Sequence, residues 1–256
     1  MPTSQPTSEQ NTSKPVIGVL LVHGFNGSKN DLAEMEMILQ RRGMITHNMV
    51  LPGHGTHIRA MLAVGWKDWA AAVRLELNAL RQRCDVVFLV GHSLGGSLVL
   101  HTAAYEEVSG VVAMCAPIRM YPMTRFLVWA GKFFTPLAPS FGEDIRDRAA
   151  RRRSIRGAYH WTPMRAIESM MLYLPILRAE LPHITAPALI MTSINDHVVP
   201  ARDGREIYQL IGSKEKHLVT LYQSYHVIMK DHDREEVFNK TIAFILQHAG
   251  CQHMVI

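Results

Sequence analysis

The amino-acid sequence predicts an α/β fold, with a mostly parallel, doubly wound sheet and one helical insertion. Short continuous apolar runs recur along the chain, and such runs are typical of strands buried on both faces. Amphipathic stretches long enough for helices separate them, which is the alternation expected of a parallel sheet covered by helices. Residues 117–182 break this alternation over a length far beyond an ordinary loop of about 2–6 residues, and they predict the insertion.

The elements follow from these patterns in chain order. The strands are predicted at residues 16–22, 86–90, 110–115 and 188–191, with weaker candidates at 45–50 and 217–222. The helices are predicted at residues 30–42, 66–83, 96–106, 201–211 and 232–248. Residues 117–182 contain seven prolines and no strong strand signal, which favours a helical cap. We therefore expect a core at 15–116 and 183–248, a cap at 117–182, a disordered tail at 1–14 and a C-terminal tail at 249–256.

The composition is that of a globular chain with a sizeable core. Of the 256 residues, 48% are hydrophobic and 19% are charged, which excludes disorder for most of the chain. No apolar run approaches the ~18 residues that a membrane span needs, so no stable membrane insertion is expected. The three cysteines form no C-x-x-C pair, which argues against a disulfide framework and a structural zinc site. We expect a cytoplasmic protein whose cysteines are unpaired and outside the chemistry, and its oligomeric state stays open.

A cluster of arginines lies within the predicted cap. Its members are Arg146, Arg148, Arg151, Arg152, Arg153 and Arg156. Such a cluster is typical either of a patch for nucleic acid or anionic membranes, or of a solvated helix face. No aromatic-interleaved binding motif accompanies it, which favours the solvated face and no nucleic-acid partner. Residues 123–139, which are apolar and aromatic, leave a transient contact with a lipid interface open.

The most informative segment is the strand-like run that ends in Gly91-His92-Ser93-Leu94-Gly95. This matches G-x-S-x-G, and a strand before it with a helix after it is the context of a nucleophile elbow. The glycines are needed because the turn is strained and neighbouring segments approach closely. The pattern predicts that Ser93 is a nucleophile held above the edge of the sheet.

A serine nucleophile needs a base to accept its proton and a third group to orient that base. In α/β-hydrolases the chain order is serine, acid, histidine. Asp196 follows the predicted strand at 188–191, and His226 follows the last predicted strand, so these two residues are the predicted acid and base. His197 is expected to pack or hydrogen-bond locally, and the side chain of His92 to point away from the serine hydroxyl.

An oxyanion hole needs two backbone N–H donors aimed at the developing negative charge. One is expected from Leu94, which follows the nucleophile. The other is expected from Phe25 in the loop after the first strand, where Gly24 lets the backbone turn its N–H inward. Phe25 can also form a wall of the acyl pocket, since the chemistry uses only its backbone.

The histidines do not indicate a metal centre. None of the fourteen lies in H-E-x-x-H or another metal-ligand spacing, so no metal is expected. Asp231-His232-Asp233 contains residue types that bind metals. Acidic residues also favour a helix N-terminus, however, so this segment predicts the start of the last helix.

Taken together, the motifs resemble those of the small bacterial carboxylesterases, which are similar to the thermostable monoacylglycerol lipases of bacilli. The matching segments are HGFNGS at 23–28, LPGHGTH at 51–57, GHSLGG at 91–96, NDHVVP at 195–200 and SYHV at 224–227. The resemblance extends over roughly residues 16–248. It implies an α/β-hydrolase core with a small cap, no cofactor, and serine-mediated hydrolysis of small carboxylic esters with short to medium acyl chains, or of monoglycerides.

The resemblance also carries site residues over. It implies Ser93, Asp196 and His226 as the triad and the amides of Phe25 and Leu94 as oxyanion donors. For substrate contacts we expect Phe25, Ile145, Arg156 and Val198. The cap departs from the family, because residues 144–163 are dominated by arginine where monoacylglycerol lipases of this type have polar, partly acidic chemistry.

Two kinds of alternative to ester hydrolysis stay open at this point, another enzyme with the same triad and a binding protein, and the role of the cap aromatic residues also stays open. The same triad serves thioesterases, acyltransferases and carbon–carbon bond hydrolases, and some α/β-hydrolase folds bind ligands without turnover. In the cap, the aromatic side chains fit either a lid over an acyl pocket or plain packing of a cap helix. These are Phe126, Trp129, Phe133 and Phe134.

Overall fold

The structure is a computed structural model that describes residues 14–120, 122–131, 135–139, 143–154 and 161–250. The predicted tail at 1–14, apart from residue 14, the end of the C-terminal tail at 251–256, and Phe133, Phe134 and Arg156 of the cap lie outside these ranges.

Eight strands occur in the described ranges, numbered in chain order. They are β1 (Ile17–Val22), β2 (Ile45–Asn48), β3 (Val86–His92), β4 (Gly110–Met114), β5 (Leu137–Pro139), β6 (Trp161–Pro163), β7 (Ala188–Ser193) and β8 (Lys216–Leu221). The α-helices are α1 (Ala33–Arg41), α2 (Ile58–Leu62), α3 (Trp66–Arg81), α4 (Leu94–Tyr105), α5 (Pro122–Gly131), α6 (Arg148–Arg153), α7 (Met164–Glu180), α8 (Ala201–Leu210) and α9 (Arg234–His248).

Six of these strands form one parallel sheet in the order β2-β1-β3-β4-β7-β8. The sheet confirms the predicted doubly wound α/β class. The four strands with strong signals are its inner strands, and the two weaker candidates, β2 and β8, are its edges. Edge strands are less buried than inner ones, so their sequences are less continuously apolar and their signal is weaker.

The hydrophobic core lies on both faces of this sheet. Along β1, Leu20 and Val22 join one cluster of buried side chains, while Val19 and Leu21 join the other. Successive side chains of a strand point to opposite faces, so a strand covered on both sides is apolar at every position. This explains the continuous apolar runs by which the sequence predicted these strands.

The described residues between β4 and β7 contain the helices α5, α6 and α7, in keeping with the predicted helical character, and also a small antiparallel sheet of β5 and β6. This pair of strands was not predicted, since the sequence of the region carries no strong strand signal. Each strand has three residues and includes a proline, Pro139 or Pro163. Such strands are too short for a periodic signal, and proline is tolerated at an edge because it cannot donate to a ladder.

Helix α7 packs on the core rather than only within the predicted cap. Its Tyr173, Leu174 and Leu177 are fully buried in the same cluster as the α4 side chains. Tyr173 also donates a hydrogen bond to the carbonyl of Ser97 at 2.8 Å and stacks on Trp66 with ring centroids 5.1 Å apart. The cap boundary at 182 remains a prediction, and this packing favours a smaller insertion that ends before α7.

The strand order places two loops side by side. The chain moves from β1 outward to β2 and then returns to β3 on the other side of β1, so the order reverses between β1 and β3. Ligands of open α/β sheets bind at such a switch point, beyond the carboxyl ends of the strands. Val22 is paired with Gly91, which brings the loop after β1 against the G-x-S-x-G turn.

Candidate active site

The G-x-S-x-G turn lies between β3 and α4, as predicted. Ser93 has φ 54° and ψ −122°, a backbone conformation that a side chain rarely adopts and that costs about 1–3 kcal/mol. A Cβ at Gly91 would overlap the backbone of Gly95, and a Cβ at Gly95 would overlap the carbonyl of Val22. Backbone atoms cannot move aside as a flexible side chain can, so the glycines of the motif are sterically required here.

The turn is held by backbone hydrogen bonds on both sides. The Ser93 amide donates to the carbonyl of Met114 at 2.8 Å, and the Ser93 carbonyl accepts from Ser97 at 3.0 Å. The Ser93 hydroxyl is partly exposed and has no hydrogen-bond partner among the described residues. Contacts between nucleophile and base are often loose without substrate and tighten when it binds.

The predicted acid and base are paired. Nδ1 of His226 lies 2.7 Å from Oδ2 of Asp196, and the side chains are 9% and 0% exposed. Oδ1 of Asp196 accepts from the amides of Val198 and Val199, both at 2.8 Å. The Asp196 carboxylate therefore needs the Nδ1 proton of His226, which leaves Nε2 of the neutral imidazole free to accept a proton.

Asp196 is held in its charged form. Burial by itself raises the pKa of this carboxyl, but the imidazole of His226 and the amides of Val198 and Val199 outweigh it, and the pKa lies below its ordinary value. An ionised acid beside the histidine stabilises the imidazolium that forms when a base accepts a proton.

The loop that carries His226 is fastened by acidic side chains that sequence reasoning did not assign to the site. Asp231 is buried and accepts from the amides of Tyr225 at 2.9 Å and Arg146 at 2.7 Å. Asp233 accepts from the amides of Gln223 and Ser224. The predicted helix start is confirmed, since α9 begins at Arg234, but the two carboxylates bind loop amides rather than cap the helix. Only the fold reveals these partners, because an Asp-x-Asp spacing is equally typical of a helix start.

The two predicted oxyanion donors belong to the loop after β1 and to the start of α4. A Cβ on Gly24 would be 3.0 Å from Cβ of Ser93, so the loop after β1 contacts the elbow directly. Leu94 is the first residue of α4, and first-turn amides have no partner within their own helix. Within the described residues, the amides of Phe25 and Leu94 donate no backbone hydrogen bond, so both are available as donors.

Two buried histidines hold the loop after β1, which carries Phe25. Nε2 of His23 accepts from the amide of Leu51 at 3.1 Å, and its Nδ1 lies 2.8 Å from the carbonyl of Gly24. Nε2 of His54 accepts from the amide of Asn26 at 3.2 Å. Each ring uses one nitrogen as acceptor, so each must be neutral in this arrangement.

His92 lies beneath the base. Its Nε2 is 3.0 Å from the carbonyl of His226, and the two ring centroids are 4.8 Å apart. This side chain therefore supports the loop of the candidate base. His197 packs locally as predicted, with its Nδ1 2.9 Å from Asp144 and its ring against Tyr225.

Burial lowers the pKa of these histidines. The pKa of His54 falls to about 4, through burial and then the neighbouring His23, and that of His92 falls to about 3, through burial and then His226. Burial also lowers the pKa of His23. All three are neutral in the folded protein at neutral pH, which agrees with their hydrogen bonds.

These shifts predict destabilisation by acid. Above the ordinary histidine pKa of 6.5 neither state is protonated, and the native contacts contribute fully. Below pH 6.5 the histidines of the unfolded chain become protonated, whereas His54 and His92 of the folded protein stay neutral. The free energy of unfolding therefore falls as the pH drops from about 6.5 toward 4. Urea unfolding of wild type and His54→Gln across this range measures the slope, which we expect to be shallower in the variant.

The exposed His183 provides the matched control. His183→Gln should leave the acid slope as in wild type. Equal slopes for wild type and His54→Gln would contradict the assignment of neutral, buried His54.

The predicted substrate contacts lie in different surroundings. Phe25 is partly buried, edge-to-face with Trp69 at a centroid distance of 5.8 Å. Val198 is 52% exposed beside the acid loop, whereas Ile145 is fully buried in a core cluster. Arg156 lies outside the described residues. The structure thus leaves Phe25 and Val198 accessible for substrate and places Ile145 in the protein interior.

Two of the cap aromatics are exposed rather than packed. Phe126 and Trp129 on α5 are 59% and 57% exposed, with ring centroids 6.2 Å apart. Plain core packing therefore does not account for them. The arginines on α6 are also exposed, which confirms a solvated helix face.

Cys115 departs from expectation. We expected all three cysteines outside the chemistry, but the Sγ of Cys115 lies within 4.8 Å of ligand atoms of both Asp196 and His226. Cys84 and Cys115 are unpaired, as predicted. The sequence gives no signal for this contact, because Cys115 lies 81 positions before Asp196. The two residues come together only because β4, which Cys115 follows, pairs with β7.

Among the described helices none is both long and apolar enough to cross a membrane.

Comparisons with known proteins agree with this geometry. A thermostable monoacylglycerol lipase of Bacillus sp. (strain H-257) is 32% identical over 91% of this chain and 92% of its own length. A carboxylesterase of Bacillus subtilis (strain 168) is 25% identical over 89% of this chain and 91% of its own length. A solved structure from a study of the metagenome-derived lipolytic enzymes LipS and LipT superimposes with a TM-score of 0.85 at 35% identity, over 91% of this chain and 94% of that one.

The family model described as serine aminopeptidase, S33, matches residues 13–233, most of the chain. One family membership accounts for the parallel sheet, for the elbow between β3 and α4 and for the similarity to these relatives. The protein is a serine hydrolase of the α/β-hydrolase fold and belongs to the Hydrolase_4 family.

Proposed function

We propose that this protein is a carboxylic-ester hydrolase that acts on small esters with short to medium acyl chains, monoacylglycerols included. Ser93, Asp196 and His226 are its triad, and the reaction passes through an acyl-enzyme. The observation that carries the proposal is the buried pair of His226 and Asp196, 2.7 Å apart, in the His226 tautomer that leaves Nε2 free as a base.

In the proposed mechanism Nε2 of His226 accepts the proton of Ser93 as its oxygen attacks the ester carbonyl. The amides of Phe25 and Leu94 bind the oxyanion of the tetrahedral intermediate. The His226 imidazolium, stabilised by Asp196, then gives its proton to the leaving alcohol. Water activated by the same imidazole hydrolyses the acyl-enzyme and returns Ser93 to its free form.

Relatives support the ester class. The two curated relatives described above are named a monoacylglycerol lipase and a carboxylesterase, and this chain spans about nine-tenths of each. The exposed Phe126 and Trp129 suit a cap that meets apolar acyl chains. The cap residues 144–154 are rich in arginine, which favours the acyl chain over the glycerol headgroup as the recognised part of a monoacylglycerol.

A substrate panel tests the proposal. Purified protein is offered p-nitrophenyl esters of increasing acyl length, monoacylglycerols, matched thioesters and a diketone, and kcat/KM is measured for each. We expect the highest values for short to medium esters and measurable release of fatty acid from monoacylglycerols. A preference for thioesters, or for cleavage of the diketone, would replace the ester class with one of those activities.

A fluorophosphonate probe separates catalysis from simple binding. An activated serine forms a covalent adduct with it, and we expect mass spectrometry to locate that adduct on Ser93. Absence of labelling under native conditions, together with no turnover of the panel, would indicate a ligand-binding protein instead.

A further inference from the structure

We propose that Cys115, Asp196 and His226 form an inhibitory site for a thiophilic divalent cation, with Zn²⁺ as the best fit. The inhibition rests on the proposed roles of Asp196 and His226, whereas binding of the cation does not. The ester mechanism has no use for the thiol of Cys115, which is buried and whose pKa is raised by that burial.

The geometry brings three different donor types together. One ligand atom from each residue, a thiol sulfur, a carboxylate oxygen and an imidazole nitrogen, lies within 4.8 Å of the other two. Zinc binds these donors at about 2.0–2.3 Å, so the ligand atoms around it lie about 3–4 Å apart. Small side-chain movements would therefore close the site around one ion. Asp196 and His226 already face each other at 2.7 Å and need only separate slightly.

The position of Cys115 is set by the backbone. Its amide donates to the carbonyl of Met191 on β7 at 2.9 Å, and its φ is 47°, in the left-handed region. This conformation follows the end of β4 and turns the chain beside the acid loop. Cys115 is only 2% exposed and His226 only 7%, so an ion must enter through movements of the surrounding residues, and slow-onset inhibition is expected.

The proton balance of binding is simple. The cation displaces the proton of the Cys115 thiol, which leaves to solvent, and a sulfur–metal bond forms. His226 binds through the nitrogen that faces Asp196, so its single ring proton must sit on the other nitrogen, Nε2. That nitrogen can then no longer accept the proton of Ser93. The triad is complete in composition but in the wrong tautomer for attack.

The donor atoms of this site do not favour hard cations. Mg²⁺ and Ca²⁺ prefer oxygen ligands, whereas a thiolate selects softer ions. Zinc and cadmium should therefore bind, and magnesium should not compete at similar concentrations.

The experiment uses the full chain with Cys84 and Cys251 both replaced by serine, so that Cys115 is the remaining cysteine. Ester hydrolysis is measured after incubation with Zn²⁺, and each variant is normalised to its own metal-free rate. Binding is measured separately with Cd²⁺ by the ultraviolet absorption of the thiolate–metal bond. We expect slow inhibition, about one bound ion, reversal by a chelator and no effect of Mg²⁺.

Cys115→Ser in the same background is the decisive variant, since a hydroxyl is similar in size but a poor zinc ligand. Loss of an outer partner of a metal ligand already costs about 10–100-fold in affinity, so loss of this ligand should weaken inhibition at least that much. Cys115→Ala serves if the serine variant does not fold. Inhibition by Zn²⁺ that is equally strong in the variant and its background, or no Cd²⁺ absorption in the background, overturns the proposal.

The readouts separate this proposal from the proposed triad. Cd²⁺ absorption that depends on both Cys115 and Asp196, with full ester turnover in the loaded protein, supports the site. Full turnover in the loaded protein would then show that Asp196 and His226 are not the acid and base, while the cation site itself stands.

Discussion

Replacing Ser93 by alanine is expected to lower kcat for a p-nitrophenyl ester by at least about 10⁴-fold. Without the hydroxyl there is nothing to form the acyl-enzyme, and only the oxyanion amides and substrate binding still contribute. The fold should survive, because the hydroxyl has no hydrogen-bond partner among the described residues and alanine keeps the Cβ of Ser93 at φ 54°. Steady-state kinetics and thermal unfolding of the purified variant measure the two effects.

Ser97, one helical turn further along α4, is the matched control. It is fully buried, and its hydroxyl donates to the carbonyl of Pro117 at 2.7 Å. Ser97→Ala leaves that carbonyl without its donor and should cost about 1–3 kcal/mol of stability while much of kcat is retained. We thus expect Ser93→Ala to lose activity but keep its stability, and Ser97→Ala to lose stability but keep much of its activity. Full turnover by Ser93→Ala would contradict the proposed nucleophile.

Asp196→Asn is expected to lower kcat by about 10⁴-fold with the fold intact. The amide oxygen can keep the hydrogen bonds from Val198 and Val199, but the amide nitrogen then faces Nδ1 of His226 as a donor. Nδ1 of His226 must then be unprotonated in order to accept this hydrogen bond, so the ring proton lies on Nε2. A protonated Nε2 cannot act as a base. Kinetics, with circular dichroism to verify folding, measure the loss.

Asp147→Asn provides a control carboxylate outside the triad, since Asp147 caps α6 through the amides of Ala149 and Ala150. It should leave kcat within a few-fold of wild type. Near-normal activity of Asp196→Asn would move the acid role to Asp231 or Asp233. The structure argues against that transfer, because the carboxylates of both residues accept from backbone amides of the loop before His226.

The order of the elements and the chemical identity of the candidate site could be predicted from the sequence. The inner strands were predicted because burial on both faces makes every position apolar, which is a local property of the chain. Ser93 was predicted because the turn that carries it demands glycine at two positions for steric reasons that operate within a few residues. Asp196 and His226 were predicted from their order along the chain and their places after strands.

Other features could not be predicted, because they depend on contacts between distant segments. Helix α7 packs on the core through Tyr173 and its neighbours, a contact that the predicted cap at 117–182 did not include. Asp231 and Asp233 fasten the loop of His226, but in the sequence they read as the start of a helix. A hydrogen bond to a backbone amide leaves no periodic trace in the sequence.

The sequence by itself therefore determined the fold class, the elbow and the three residues proposed as the triad, since each depends on local sterics or on chain order. The tertiary structure alone decided which side chains surround them. It placed neutral His92 beneath His226, His23 and His54 against the loop after β1, and the thiol of Cys115 beside Asp196. Burial then set the protonation of these groups, because the cost of charging a side chain depends on the dielectric around it, which exists only after the chain has folded.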